Sequence, residues 1–149
     1  MSRDYAVSAT MAIGWERIHE DSRRLAAMLR PRGPFQGIVA VARGGLVPAA
    51  VLSRELDLRL IETVCVASYD DRRQGSVLVL KSLAGDGEGW LVVDDLVDSG
   101  ETAGTVRRML PRALFACVYA KPEGRDQADV YAVDVEQDVW LVFPWDPPL

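Results

Sequence analysis

Apolar residues recur along this chain in two rhythms. Unbroken apolar runs at residues 37–42, 90–93 and 113–120, and a run rich in Val, Ile and Thr at 60–69, have the length of buried strands. Shorter apolar runs follow at 130–135 and 139–143. Between the strands the period changes. Trp15, Ile18, Leu25 and Leu29 recur at helical spacing and predict a helix over 10–30, stopped by Pro31 and Gly33. A second helix is expected over 47–56, with Pro48 in its first turn, where a missing N–H costs nothing. A third is expected over 102–110, where Ala103, Val106 and Met109 or Leu110 share a face and Pro111 ends it. Residues 70–89 read as a hairpin with a mobile tip. It combines the charged run 70–74, a short strand at 76–80 and the Gly-Asp-Gly-Glu-Gly loop at 85–89, a glycine-rich polar type that often moves over a site.

Strands alternating with helices imply βαβ units, hence an α/β fold with a mostly parallel twisted sheet flanked by helices. In such sheets ligands bind beyond the C-terminal ends of the strands. Arg43, Asp94, Asp95 and Lys121 each follow an expected strand, so one sheet edge should collect them. The 149 residues suit one domain, 1–149, with no repeat, low-complexity tract or linker.

Composition narrows the function. A net charge of -5 argues against nucleic-acid binding, which needs a basic face. It leaves room for a small phosphate ligand held by backbone N–H groups and a metal ion. Cys65 and Cys117 lie in strand-like runs and read as two buried free thiols. His19, the single histidine, reads as a surface residue of the first helix. With no signal pattern and no run of the roughly 20 apolar residues a bilayer span needs, the expectation is a soluble cytoplasmic protein.

The richest chemistry follows the strand at 90–93. Asp94 and Asp95 are adjacent carboxylates that suit ribose hydroxyls or a Mg²⁺ held partly through water. Next comes Asp98-Ser99-Gly100-Glu101-Thr102, leading into a helix. Gly100 permits close backbone approach, Ser99 and Thr102 supply hydroxyls, and the helix start offers N–H groups to an anion. Together these form a monophosphate cradle without the lysine of a P-loop. Asp98, beside it, could accept a proton or hold a base nitrogen. Each aspartate alone would pass as a turn or helix cap; the whole strand–acid–acid–loop–helix order favours a site.

Residues 91–102 resemble the signature of the type I phosphoribosyltransferases that binds phosphoribosyl pyrophosphate (PRPP). The likeness extends in order through 41–56, 63–70, 85–89, 120–122 and 144–146 to the bacterial purine-using members. The resemblance implies a parallel sheet with a small hood, and transfer of 5-phosphoribosyl from PRPP to N9 of a 6-oxopurine (guanine, xanthine or hypoxanthine) in purine salvage. It implies Mg²⁺, a homotetramer, and a cytoplasmic location with peripheral membrane association open. By position, Arg43 and Gly44 resemble the pyrophosphate loop, where the family has a cis peptide. Asp94 and Asp95 resemble the ribose and metal carboxylates, Asp95 being the metal contact. Residues Asp98, Ser99, Gly100, Glu101 and Thr102 resemble the 5′-phosphate loop, and Asp98 also the acid facing purine N7. Lys121 resembles the donor to purine O6, Trp140 the aromatic stacked on the base, and Leu141 the residue whose carbonyl meets the 2-substituent.

Three departures stand out. The loop arginine that reaches pyrophosphate in the family aligns with Gly75, with Arg72 and Arg73 just before it. Val142 and Phe143 replace the acid that follows the stacking tryptophan, so the base pocket is expected to be more apolar. The sequence ends at Leu149, short of the family's usual tail. A non-catalytic nucleotide sensor is the main rival. It would call for a DNA-binding segment or a basic face, and neither is present. The Gly-x-x-x-x-Gly-Lys-Ser/Thr of a P-loop kinase is absent as well.

Overall fold

A computed structural model describes residues 9–68 and 77–148. In chain order its elements are β1 (Ala9–Ala12), α1 (Trp15–Leu29), β2 (Gly37–Ala42), α2 (Leu46–Glu55), β3 (Ile61–Ser68), β4 (Val77–Lys81), β5 (Trp90–Val97), α3 (Glu101–Met109), β6 (Leu114–Ala120), β7 (Val130–Asp134) and β8 (Val139–Val142). The main sheet has the order β4-β3-β2-β5-β6-β7. Its neighbours are parallel except the β3–β4 pair.

The unbroken apolar runs have a direct cause. Ile38 and Ala40 of β2, with Leu91 and Val93 of β5, pack into one layer with Leu25 and Leu29 of α1 and Leu52 of α2. Val39, Val41 and Val92 point the other way, into a second layer with Val106, Leu110 and Phe115. Both faces are dry, so neither alternate position has reason to be polar.

The expected helix over 10–30 is shorter. Its first residues form β1, which pairs in parallel with β8 from Ala9↔Val139 to Ala12↔Val142. Met11 continues the helical spacing of α1, four residues before Trp15, but its strand partner Leu141 lies at the far end of the sequence. Gly14, in an extended conformation, separates strand from helix.

β5 is longer than its apolar run. Pairing with β2 ends at Ala40↔Val93, whereas pairing with β6 continues through Asp94↔Cys117 to Val97↔Ala120. The two acids are therefore part of the strand, at a height where β2 is turning into residues 43–45.

The 85–89 loop lies at the opposite edge from the one expected. It enters β5 at Trp90, and the Gly89 carbonyl accepts the Gln36 N–H just before β2, so it belongs to the N-terminal ends of the parallel strands. Arg112 ties it down through Asp86 and Glu88. It does not cover the C-terminal edge. The hairpin itself is present as β3 and β4; its tip, with Arg72, Arg73 and Gly75, lies outside the described residues.

Candidate active site

Three strand ends build the site. After β2, the Ala42–Arg43 peptide is cis and the chain turns through Gly44 and Gly45 into α2. Gly44 faces Asp95 so closely that a Cβ would fall inside the carboxylate, with Cγ at 2.6 Å. The smallest residue is required there for the β2 turn to reach the acid.

From β5 come Asp94 and Asp95. Asp94 is 7% exposed. Its carboxylate accepts the Asp95 N–H at 2.9 Å, and the Asp95 carboxylate accepts the Leu96 N–H at 2.7 Å. Burial pushes the Asp94 carboxyl well above the ordinary carboxylate range, and the Asp95 charge adds to the rise. Asp95 is raised too, again chiefly by burial, with Asp146 contributing. Two carboxylates this close and this dry resist ionising together, so the pair favours a shared proton or a cation.

Beyond β5, Gly100 has φ 91° and caps α3. This left-handed turn aims the start of the helix at a cavity of about 350 Å³. Gly44, Asp94, Asp95, Asp98, Ser99, Gly100, Glu101 and Thr102 all line it. Arg43 is exposed and lines a larger adjoining cavity of about 860 Å³, with Asp95, Trp145 and Asp146 on its wall. The polar walls and the helix start suit an anion of phosphate size.

Lys121 follows β6 and is 3% exposed. Its Nζ lies 3.2 Å from Asp98 Oδ2. A buried cation of this kind is tolerated because a carboxylate meets it. The other Asp98 oxygen accepts a hydrogen bond from Gln137 Nε2 at 2.8 Å.

Trp140 and Leu141 belong to β8, on the small second sheet. Trp140 is 54% exposed, while Leu141 is buried in the first apolar layer. Neither lines the two cavities described; the Gln137 turn, just before β8, links their strand to Asp98. Val142 accepts the Ile13 N–H through its carbonyl, which fixes the end of β8.

Sequence reasoning assigned no role to two residues. Gln137 is an isolated amide in a turn and carries no motif. Asp146 accepts the Phe143 N–H and bears electrostatically on Asp95. Its placement depends on the tail folding back, where Phe143 stacks on Trp145 at 4.8 Å and Trp145 meets Trp15. Of the cysteines, Cys117 is buried and Cys65 only half-buried; both are free. His19 is exposed, as expected. Among the described residues no cluster of three or more metal-ligating side chains occurs, and no helix is long and apolar enough to cross a membrane.

Known proteins resemble this chain in sequence and fold. Residues 14–149 match the family model of the phosphoribosyl transferase domain. A xanthine-guanine phosphoribosyltransferase of Nitratidesulfovibrio vulgaris strain DP4 is 55% identical over 135 residues, covering 90% of this chain and 83% of that protein. One from Desulfotalea psychrophila is 51% identical over 138 residues, 92% of this chain and 86% of its own. Among solved structures, a purine phosphoribosyltransferase from Pyrococcus horikoshii superposes with a TM-score of 0.80 at 29% identity, covering 94% and 96% of the two chains. A xanthine-guanine-hypoxanthine phosphoribosyltransferase from Helicobacter pylori gives 0.76 at 26% identity, covering 91% and 93%. The sheet is that of the type I phosphoribosyltransferases, and the chain belongs to the phosphoribosyltransferase family.

Proposed function

We propose that this protein transfers 5-phosphoribosyl from PRPP to N9 of a 6-oxopurine, giving a nucleoside monophosphate and pyrophosphate. The observation that carries the reading is the double position of Asp98. It lines the cavity at the start of α3 and also pairs with the buried Lys121. A group so placed faces a phosphoribosyl ligand and the base that attacks it. The names of the relatives agree, being those of xanthine-guanine enzymes.

In this reading residues 98–102 and the start of α3 hold the 5′-phosphate. Asp94 and Asp95 hold the ribose hydroxyls, and Arg43 and Gly44 meet the pyrophosphate. Asp95 and its neighbour fit Mg²⁺: they are hard oxygen donors raised in pKa, and this ion is commonly bound by one or two carboxylates plus substrate phosphates and water. Held by these carboxylates, the ion would supply charge neutralisation to a pyrophosphate leaving group. As the C1–O bond breaks, positive charge develops on the ribose ring, as in glycoside cleavage. N9 then bonds to C1. Asp98 takes up the proton at N7, and the Lys121 ammonium stabilises negative charge growing on O6. Trp140 offers an exposed face for stacking, with Leu141 behind it.

Two further elements complete the proposal. Self-association, which a homotetramer requires, is supported by the exposed apolar side chains Leu78, Val79 and Leu80 of β4, an edge strand that would otherwise invite unwanted pairing. Action in the cytoplasm is supported by two free thiols.

The test is pyrophosphate release with PRPP and Mg²⁺, run in parallel with guanine, xanthine, hypoxanthine and adenine. Release with the 6-oxopurines and not adenine is expected. PRPP binding without release for any base would favour a nucleotide sensor instead.

A further inference from the structure

We propose that Gln137 is a positioning residue that locks Asp98 in its working orientation and ties it to the strand carrying Trp140. The inference rests on the role given to Asp98 above. Asp98 is held on both oxygens: Oδ2 by Lys121 at 3.2 Å and Oδ1 by Gln137 Nε2 at 2.8 Å. Lys121 alone would leave the carboxylate free to rotate about its contact, because the side chain is 46% exposed on a loop. The second donor removes that freedom. Gln137 is itself oriented, since its Oε1 accepts the Glu123 N–H at 2.9 Å. An amide is the residue type this position needs, with a donor for the acid on one arm and an acceptor for a backbone N–H on the other.

The bridge spans three loops. Asp98 follows β5, Glu123 follows β6 shortly after Lys121, and Gln137 stands in the turn leading into β8. That turn is closed by the Val139 N–H to the Glu136 carbonyl. A base stacked on Trp140 and a proton taken at Asp98 must share one geometry. Gln137 is the described side chain that touches the acid from the β8 side. Misplacing a reacting group by about 1 Å can cost about 100-fold in rate, so losing this contact should be felt in turnover.

Gln137→Glu is the sharpest probe. It retains an oxygen for the Glu123 N–H and the same shape, but presents a carboxylate to Asp98 where a donor stood. Gln137→Ala removes both contacts. Both variants are expected to bind PRPP, by calorimetry without base, with a Kd weakened far less than kcat, and to melt near the wild type. Both should lose about 10- to 100-fold in kcat, with a raised purine KM. In an Asp98→Asn background the Gln137→Ala change should have little further effect, because the pair acts as one unit. Wild-type kcat in Gln137→Glu, or a PRPP Kd weakened as much as kcat, overturns the positioning role. If Asp98→Asn itself turns over normally, the role of Asp98 fails and the positioning role with it. A crippled Asp98→Asn beside normal Gln137 variants sinks the positioning role alone.

Discussion

Lys121 and Asp98 meet at 3.2 Å from very different depths, the lysine side chain being 4% exposed and the aspartate 46%. The cation is fixed in the interior, and the carboxylate carries its influence out to the cavity. Lys121→Met keeps the bulk and removes the charge. Removing one partner of an ion pair is costly when it leaves the other charge buried, but the Asp98 side chain is 46% exposed and can be solvated without its partner. The variant should therefore fold and melt normally while kcat falls about 10²- to 10⁴-fold. Steady-state rates at saturating PRPP decide it, and a normal kcat would remove Lys121 from the mechanism.

Asp94 and Asp95 give a stability signature. Unfolded aspartate titrates near about pH 3.9. Both groups are raised in the folded protein, so above that pH the folded state holds protons that the unfolded chain has released. Stability contributed by the pair therefore falls as pH rises from about 4, until both have ionised. In a chelating buffer, Asp94→Asn should flatten this decline and melt above the wild type at neutral pH. Each kcal/mol recovered raises the midpoint by about 2–4 °C for a chain of this size. Mg²⁺ should raise the wild-type midpoint and do less for the variant. A variant that melts lower at neutral pH would contradict the burial argument.

Gly44→Ala puts a methyl group into the Asp95 carboxylate. Either the β2 turn or the acid must move. The half-buried Gly44 lies outside both apolar layers, so the strain falls on the site and the melting temperature should change little. PRPP affinity should drop at least tenfold, read by calorimetry with Mg²⁺.

Trp140→Ala should act on the base and leave the phosphoribosyl half alone. Stacking of a base on an aromatic is worth about 1–3 kcal/mol, so the purine KM should rise about 5- to 150-fold with PRPP Kd unchanged. The ring is already half in solvent, and its loss should cost little stability. Trp140→Phe should recover most of the effect. An unchanged purine KM in the alanine variant would take Trp140 out of the base site.

The sequence made the sheet legible because its central strands are dry on both faces, and nothing but apolar residues fits there. It made residues 98–102 legible because a glycine and hydroxyls at a helix start have few other uses in that order. Other features depended on distant partners. β1 looked like part of α1 because only its pairing with β8 makes it a strand. The 85–89 loop carried the composition of a moving lid, yet Gln36 and Arg112 pin it to the other edge. Gln137 gave no signal, since one amide in a polar turn is indistinguishable from its neighbours until Asp98 arrives beside it.

The strand that carries Trp140 pairs with β1, not with the parallel ladder that carries the acids. Changes in β1 or β8 can thus reshape what is offered to a nucleobase without shifting the register of the strands that hold Asp94 and Asp95. In the proposed reading, the stacking contact and the paired acids stand on different sheets, joined through Gln137 and Asp98. On that reading, changes in β1 and β8 that keep the Gln137 link can retune the chain toward a different purine while the half assigned to the sugar phosphate is inherited intact.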